Sequence, residues 1–347
     1  MQKDLYIRYL SETSNVISPI LKKEIDDLAL KEVELSEILS FFYKKRENKL
    51  LLKPTLFRLA YEICGGQDFE SVKKIATAFE ALNISSYQAN SAFDNKMGVL
   101  KKEEKDNQFI ASMLSREITT KLILECDNTL PHDIIDQILK SISVSNLYIY
   151  KAQHYDLNLL SMDNLETYVL SKDKFDEDYH NRCFFGSGIF SGQTALAGAI
   201  VAGAGEEKQK ALQSFGEIYG TALHKINDLA DFFPGEERND KLYQDNYCDI
   251  RNGRLTFPVY QLFTKYKSKY DVLMKLLKKP IEIDVKESVS DILRDTSLIE
   301  DVQETAKRAY SEAKQALNVF ETSGSKSMLL TLLSVLDSNK FYYRAKR

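Results

Sequence analysis

The chain has 347 residues, 44% of them hydrophobic, and its 47 Lys and Arg stand against 51 Asp and Glu for a formal charge of -4. That is enough apolar material for a sizeable core, and the balanced charge, with no block of basic residues, argues against a nucleic-acid footprint. The four cysteines, Cys64, Cys126, Cys183 and Cys248, are scattered without a C-x-x-C pair, which speaks against a zinc cage or a disulfide framework. Reduced thiols and a cytoplasmic location are expected, because the N-terminus, MQKDLYIRYLSETSNV, meets charge too early for a signal peptide.

Only 6 Pro and 14 Gly punctuate the chain, and apolar residues recur at spacings of three and four, so nearly all of the secondary structure should be helical. In chain order the spacing predicts helices over 55–64, 70–95, 107–126, 132–150, 188–203, 206–231, 257–277 and 301–320. Breaks are expected at Gly65-Gly66, the charged run 101–107, Pro131, the stretch SKDKFDED (171–178) and the loop 232–241. Residues 183–204 carry no charge and are long enough to span a bilayer. They read instead as a buried helix without a membrane span, since Gly and Ala suit close packing and Ser187, Ser191, Gln193 and Thr194 interrupt the run. No linker or internal repeat divides the chain. Residues 1–347 are expected to form a single all-α domain, one large helical bundle.

Two helices change character along their length. On the first, Val72, Ile75, Ala76, Phe79 and Leu82 form an apolar stripe, and the same side continues with Asn83, Ser86, Asn90 and Asp94. On the second, Leu212, Phe215 and Leu223 read as core, followed by His224, Asp228 and Asp231, with Asn227 one turn from Asp231. Polar groups on an inward face need partners. Two such acidic helix ends facing each other would suit Mg²⁺, which takes carboxylates together with substrate phosphate oxygens; the bland alternative is an N-x-x-D pattern on a solvated helix end. His224 reads first as a hydrogen-bonded core histidine and only second as a base.

Taken together with their surroundings, these helices resemble the trans-isoprenyl diphosphate synthase family, from about residue 5 to the C-terminus. KLLLKPTLFRLAYEICGG resembles that family's basic, Pro-containing entry to a helix ending in Gly-Gly, and FEALNISSYQANSAFD its first Asp-rich helix, with Glu80 in the usual place. GSGIF (186–190) resembles the Lys-Thr-Gly segment, FGEIYGTALHKINDLADFF the second Asp-rich helix, and DIRNGRLTFPVYQLF (249–263) the conserved segment that follows it. The resemblance implies the isoprenoid synthase type of helical bundle, dimers, and Mg²⁺ ions that grip an allylic isoprenoid diphosphate and promote its ionisation. Isopentenyl diphosphate, held by basic side chains, would then attack the cation.

The departures are specific. The first motif reads Asn90-Ser91-Ala92-Phe93-Asp94 and the second Asn227-Asp228-Leu229-Ala230-Asp231, so both leading carboxylates have become amides. Gly186 stands for the Lys, Asn83 for the family's His and His224 for its Gln, while Leu50 and Leu51 fall where basic residues are expected. The resemblance therefore implies a weakened Mg²⁺ site of Asn90, Asp94, Asn227, Asp228 and Asp231, with Asp94, Asp228 and Asp231 carrying the chemistry, and diphosphate contacts from Lys49, Lys53, Arg254 and Arg344. The leading expectation is an enzyme with altered chemistry, prenyl transfer or cyclisation. The alternatives are a catalytically silent subunit that pairs with an active synthase and, third, an ordinary but slow synthase; partners are an isoprenoid diphosphate and a second chain, as homodimer or heterodimer.

Overall fold

The computed structural model describes residues 2–44, 50–94, 102–230, 232, 247–277, 289 and 291–337. Among them there is no strand, only the isolated antiparallel bridge between Ser161 and Arg254. The chain opens with α1 (Gln2–Ala29), α2 (Val33–Lys44), α3 (Leu52–Ile63), α4 (Phe69–Asp94), α5 (Lys102–Leu124) and α6 (His132–His154), which runs into a π-helical turn over Tyr155–Leu159. The short α7 (Leu165–Leu170) precedes α8 (Lys172–Cys183), a second π turn (Phe184–Gly188) and α9 (Ile189–Val201), and then α10 (Glu206–Ala230). Short α11 (Cys248–Arg251), α12 (Phe257–Lys265) and α13 (Lys267–Leu277) follow, then α14 (Leu298–Ala316) and α15 (Gly324–Asp337).

α9 is the centre of this bundle, packed on by α3, α6 and α10. Its two sides serve two cores. Phe190, Ala197 and Ile200 join the apolar stripe of α4 (Val72, Ile75, Ala76, Phe79, Leu82), whereas Ala195 and Ala199 join Leu212 and Phe215 of α10. The uncharged stretch is thus an interior helix, and the most apolar window of the continuous helix over 172–201 is 72% buried. Glycine makes the close approach possible. A Cβ at Gly216 would lie 2.5 Å from the backbone oxygen of Ser191, and one at Gly220 would collide with that of Ser187.

Three expected boundaries differ. Residues 102–107 of the charged run are no break: α5 begins at Lys102, with Glu103 and Glu104 in its first turn, where the helix dipole favours acidic side chains. The break expected over 171–178 shrinks to Ser171 alone, between α7 and α8, because α8 starts at Lys172. Its charges pair along the helix, Lys172 with Asp176 and Lys174 with Asp178, while Phe175 is fully buried and stacks on Tyr260 at 3.8 Å. The helix expected over 257–277 is divided at Tyr266 into α12 and α13. Gly65, at φ 99°, ends the segment after α3 as expected, a conformation that favours glycine.

If backbone contact between 187–192 and α10 sets the packing, Gly220→Ala should destabilise the protein by at least about 1–3 kcal/mol, since the helices must separate to admit one methyl. Gly205→Ala, whose Cβ meets nothing within 4 Å, should change stability by less than about 0.5 kcal/mol. Urea unfolding of both variants checks this.

Candidate functional site

The antiparallel packing of 182–192 on α10 brings Asp228, near the end of α10, against the last turn of α8. Asp228 is 5% exposed. Its Oδ2 accepts hydrogen bonds from Nη1 of Arg182 at 2.7 Å and from the Tyr179 hydroxyl at 2.8 Å. The Nε of Arg182 donates to Oδ1 of Asp156 at 2.7 Å, and Asp156 also takes Arg254, whose Nη1 donates to the Asp156 backbone oxygen at 3.1 Å and whose Nε lies 3.7 Å from Oδ2. Four charges of alternating sign, Asp228, Arg182, Asp156 and Arg254, therefore run through the interior. Burial opposes the charge on Arg182, but Asp156 and Asp228 beside it hold the guanidinium protonated well above the usual range. Burial, reinforced by Asp228, also drives the Tyr179 hydroxyl well up and pushes the Cys183 thiol up to about 12, so neither ionises at neutral pH.

One turn before Asp228 on α10, His224 holds Ser187 of the π turn, with Nδ1 and Oγ 3.1 Å apart. Its Nε2 lies 4.0 Å from Oδ1 of Asp228, too far for a hydrogen bond. A Cβ on Gly186 would come within 3.0 Å of the His224 ring, so the histidine fills the space that a side chain at 186 would need. Cys183, His224 and Asp228 could bring ligand atoms within 4.8 Å of one another, though the Arg182 guanidinium on Oδ2 of the same carboxylate would weaken the hold on a cation there.

Of the residues expected from sequence, Asp228 and Arg254 are joined through Arg182 and Asp156. Lys53 lies elsewhere, on α3: its Nζ donates to Ser191 Oγ at 2.5 Å and sits 4.5 Å from the centre of the Phe190 ring. Burial lowers its pKa to about 8, opposed by the nearby Glu80, which accepts from the Asn83 amide at 3.2 Å. Asn90 and Asn227 are both exposed. Asp94 ends α4, but its side chain lies outside the described part of the structure, as do Lys49, Asp231 and Arg344. Tyr179, Arg182, Asp156 and Ser187 were not singled out as site residues. The usable signal for Arg182 was its place four residues before Gly186, the position where the resemblance expects a cation.

Because the Lys53 pKa is lower folded than unfolded, the unfolded chain binds more protons between pH 8 and 10.5, and stability gained from deprotonating Lys53 accrues as pH rises through that window. Denaturant unfolding of wild type and Lys53→Met across this range should show their stability difference moving in favour of wild type by on the order of 3 kcal/mol. A constant difference would mean that the amine is solvated.

The polyprenyl synthetase family model matches residues 109–293, a stretch that contains Arg182, His224, Asp228 and Arg254. Octaprenyl diphosphate synthase of Haemophilus influenzae is 28% identical over 126 residues, 36% of this chain and 36% of that protein; the match thus spans about a third of the relative's length. Two solved structures share the fold over nearly their whole length. The polyprenyl synthase of Caulobacter crescentus CB15, complexed with calcium and isoprenyl diphosphate, is similar with a TM-score of 0.76, 17% identity and coverage of 96% of this chain and 98% of that one. The geranylgeranyl pyrophosphate synthase of Corynebacterium glutamicum, complexed with isoprenyl diphosphate and magnesium, gives a TM-score of 0.77, 13% identity and coverage of 95% and 99%. With the family model covering more than half of the chain and the all-α bundle matching throughout, this chain belongs to the polyprenyl synthetase family, the trans-isoprenyl diphosphate synthases.

Proposed function

We propose that the chain is an enzyme acting on an allylic isoprenoid diphosphate, which it ionises for prenyl transfer or cyclisation and not for ordinary head-to-tail elongation. The observation that carries this reading is the buried chain Asp228, Arg182, Asp156 and Arg254. Replacing such a set by apolar residues of similar volume is often neutral or stabilising, so packing alone gives no reason to keep it, whereas handling a charged ligand does. Elongation is disfavoured because Gly186, Asn83, Leu50 and Leu51 supply no cation, Lys53 is turned onto Ser191, and Arg254 is held by Asp156.

The donors at the end of α10 fit a divalent ion, though weakly. Oδ2 of Asp228 is engaged by Arg182 and Tyr179, while Oδ1 lies outside those hydrogen bonds, and a single carboxylate oxygen is what Mg²⁺ takes alongside phosphate oxygens. Asp228 with Asn90 and Asn227 would hold it, joined by Asp94 and Asp231. When bound, such an ion supplies charge stabilisation to a departing diphosphate. The protein's own part is to hold the carboxylate in place: Tyr179 and Arg182 hold Asp228, and Ser187 orients His224 beside it.

A second reading, the silent subunit, is supported by a different observation: the four interior charges already satisfy one another, and α5 and α6 leave apolar side chains uncovered, Met113 at 66% and Leu147 at 64% exposure. A second chain, identical or related, would cover that face.

Asn90→Asp with Asn227→Asp restores two carboxylates at exposed positions. On the enzyme reading, Mg²⁺-dependent release of diphosphate from geranyl, farnesyl or geranylgeranyl diphosphate should rise roughly tenfold, following the ligand charge; no release before or after restoration would favour the silent subunit. For pairing, light scattering should give a dimer mass for wild type and a monomer mass for Met113→Glu with Leu147→Glu, because charges cannot be buried unpaired in such a face.

A further inference from the structure

We propose that Cys183, His224 and Asp228 form a binding site for a thiophilic divalent cation of the zinc class, chemically distinct from the Mg²⁺ site considered above. The proposal goes beyond the enzyme reading and does not rest on it, since a silent subunit would hold the same ion. Two helical segments each contribute residues one turn apart. Cys183 closes α8, four residues before Ser187 of the π turn, and His224 precedes Asp228 by four residues on α10. The close packing at Gly216 and Gly220 brings these pairs together. As a result, one ligand atom from each of Cys183, His224 and Asp228 lies within 4.8 Å of the others. Donors of a tetrahedral zinc site stand roughly 3.5 Å apart, so a contraction of about 1 Å closes the set. A site with a single cysteine leaves no C-x-x-C pair in the sequence.

The donor types decide which ion is taken. Mg²⁺ and Ca²⁺ take oxygen, whereas a sulfur, an imidazole nitrogen and a carboxylate oxygen together are ligands of zinc. Nε2 of His224 lies 4.0 Å from Oδ1 of Asp228, and Nδ1 of the same ring is 3.1 Å from Ser187 Oγ. Such a contact on the far nitrogen is how proteins fix the orientation and tautomer of a ligating imidazole. On Asp228, Oδ2 takes Arg182 and Tyr179, while Oδ1 lies outside those hydrogen bonds. Cys183 is fully buried, so an ion would enter past His224, whose side chain is 21% exposed. Arg182 weakens the hold without cancelling it: a thiolate and Asp228 neutralise a divalent ion, and Asp156 remains to balance the guanidinium. Binding breaks the Cys183 S–H bond and releases the proton to solvent, as coordination by a thiol requires. With three protein ligands, a fourth position stays open to water or an anion. The ion also takes the Asp228 oxygen assigned above to Mg²⁺, so the two metals exclude each other.

The test uses the purified full chain, freed of metal with a chelator and titrated with Co²⁺ as a spectroscopic stand-in for Zn²⁺. Wild type should bind a single equivalent of tetrahedral cobalt with a thiolate charge-transfer band, bleached by Zn²⁺ and untouched by a large excess of Mg²⁺. Cys183→Ala should abolish that band, and His224→Gln should lower zinc affinity by more than about 100-fold. Ser187→Ala, which only releases the ring, should cost about 10-fold. Cys126→Ala, in the other core, should keep the wild-type spectrum. Should Cys183→Ala fail to fold, His224→Gln, at a partly exposed position, carries the test. A band that survives in Cys183→Ala would place the metal on another thiol and overturn the proposal. So would a wild type that binds no cobalt, or that releases it to Mg²⁺. Neither result bears on diphosphate release, which tests the enzyme reading separately.

Discussion

The backbone contact between residues 187–192 and α10 is the constraint from which the interior follows. With Gly216 and Gly220 removing the side chains that would otherwise hold the two segments apart, the helices meet at backbone distance and their relative register is set. That register places Ser187 opposite His224 and, one turn further along each helix, Arg182 opposite Asp228. A wider spacing would leave room for water between the guanidinium and the carboxylate and weaken their attraction through the higher local dielectric. The π turn over Phe184–Gly188 lies in the middle of this arrangement; such turns are frequent at functional sites, where the extra residue re-aims the side chains around it.

The charge in this interior is expensive, and its arrangement shows how the expense is contained. Each carboxylate faces at least one guanidinium, Arg182 serves two carboxylates at once, and Tyr179 adds a neutral donor to the oxygen of Asp228 already held by Arg182. A buried pair of this quality roughly offsets its own desolvation, whereas loss of one partner strands the other. The network therefore contributes positional order more than net stability. Lys53 shows the same economy in a smaller form: its side chain is buried, with the amine bonded to Ser191 and Glu80 nearby on α4 to favour its charge.

The fold of this chain tolerates wide change in sequence. The bundle aligns over almost the whole length of polyprenyl synthases at identities below 20%, because apolar periodicity and small residues at helix contacts tolerate wide substitution while volume and pattern are kept. The acidic and basic positions do not share that tolerance, since an amide in place of a carboxylate keeps the shape and discards the charge. Membership of the family establishes the scaffold, and a scaffold does not by itself fix the chemistry carried on it.

Much of the architecture was determined by the sequence alone. The stripe from Val72 to Leu82 and the uncharged run 183–204 were legible because burial imposes a local period on the residues that experience it, and the pairing of the two degenerate Asp-rich helices pointed to the family and to Asp228 and Arg254. The tertiary structure alone decided the partners. Residues 171–178 look like a charged break until Phe175 is buried against Tyr260, and nothing local marks Arg182 as the counter-ion of Asp228, 46 residues away. Nor does composition show that Lys53 turns onto Ser191, 138 residues distant. Periodicity records which face of a helix leaves water, but the identity of the group that meets it is set by how separate helices pack, and only close glycine contacts made in the folded chain bring these charges within hydrogen-bonding distance.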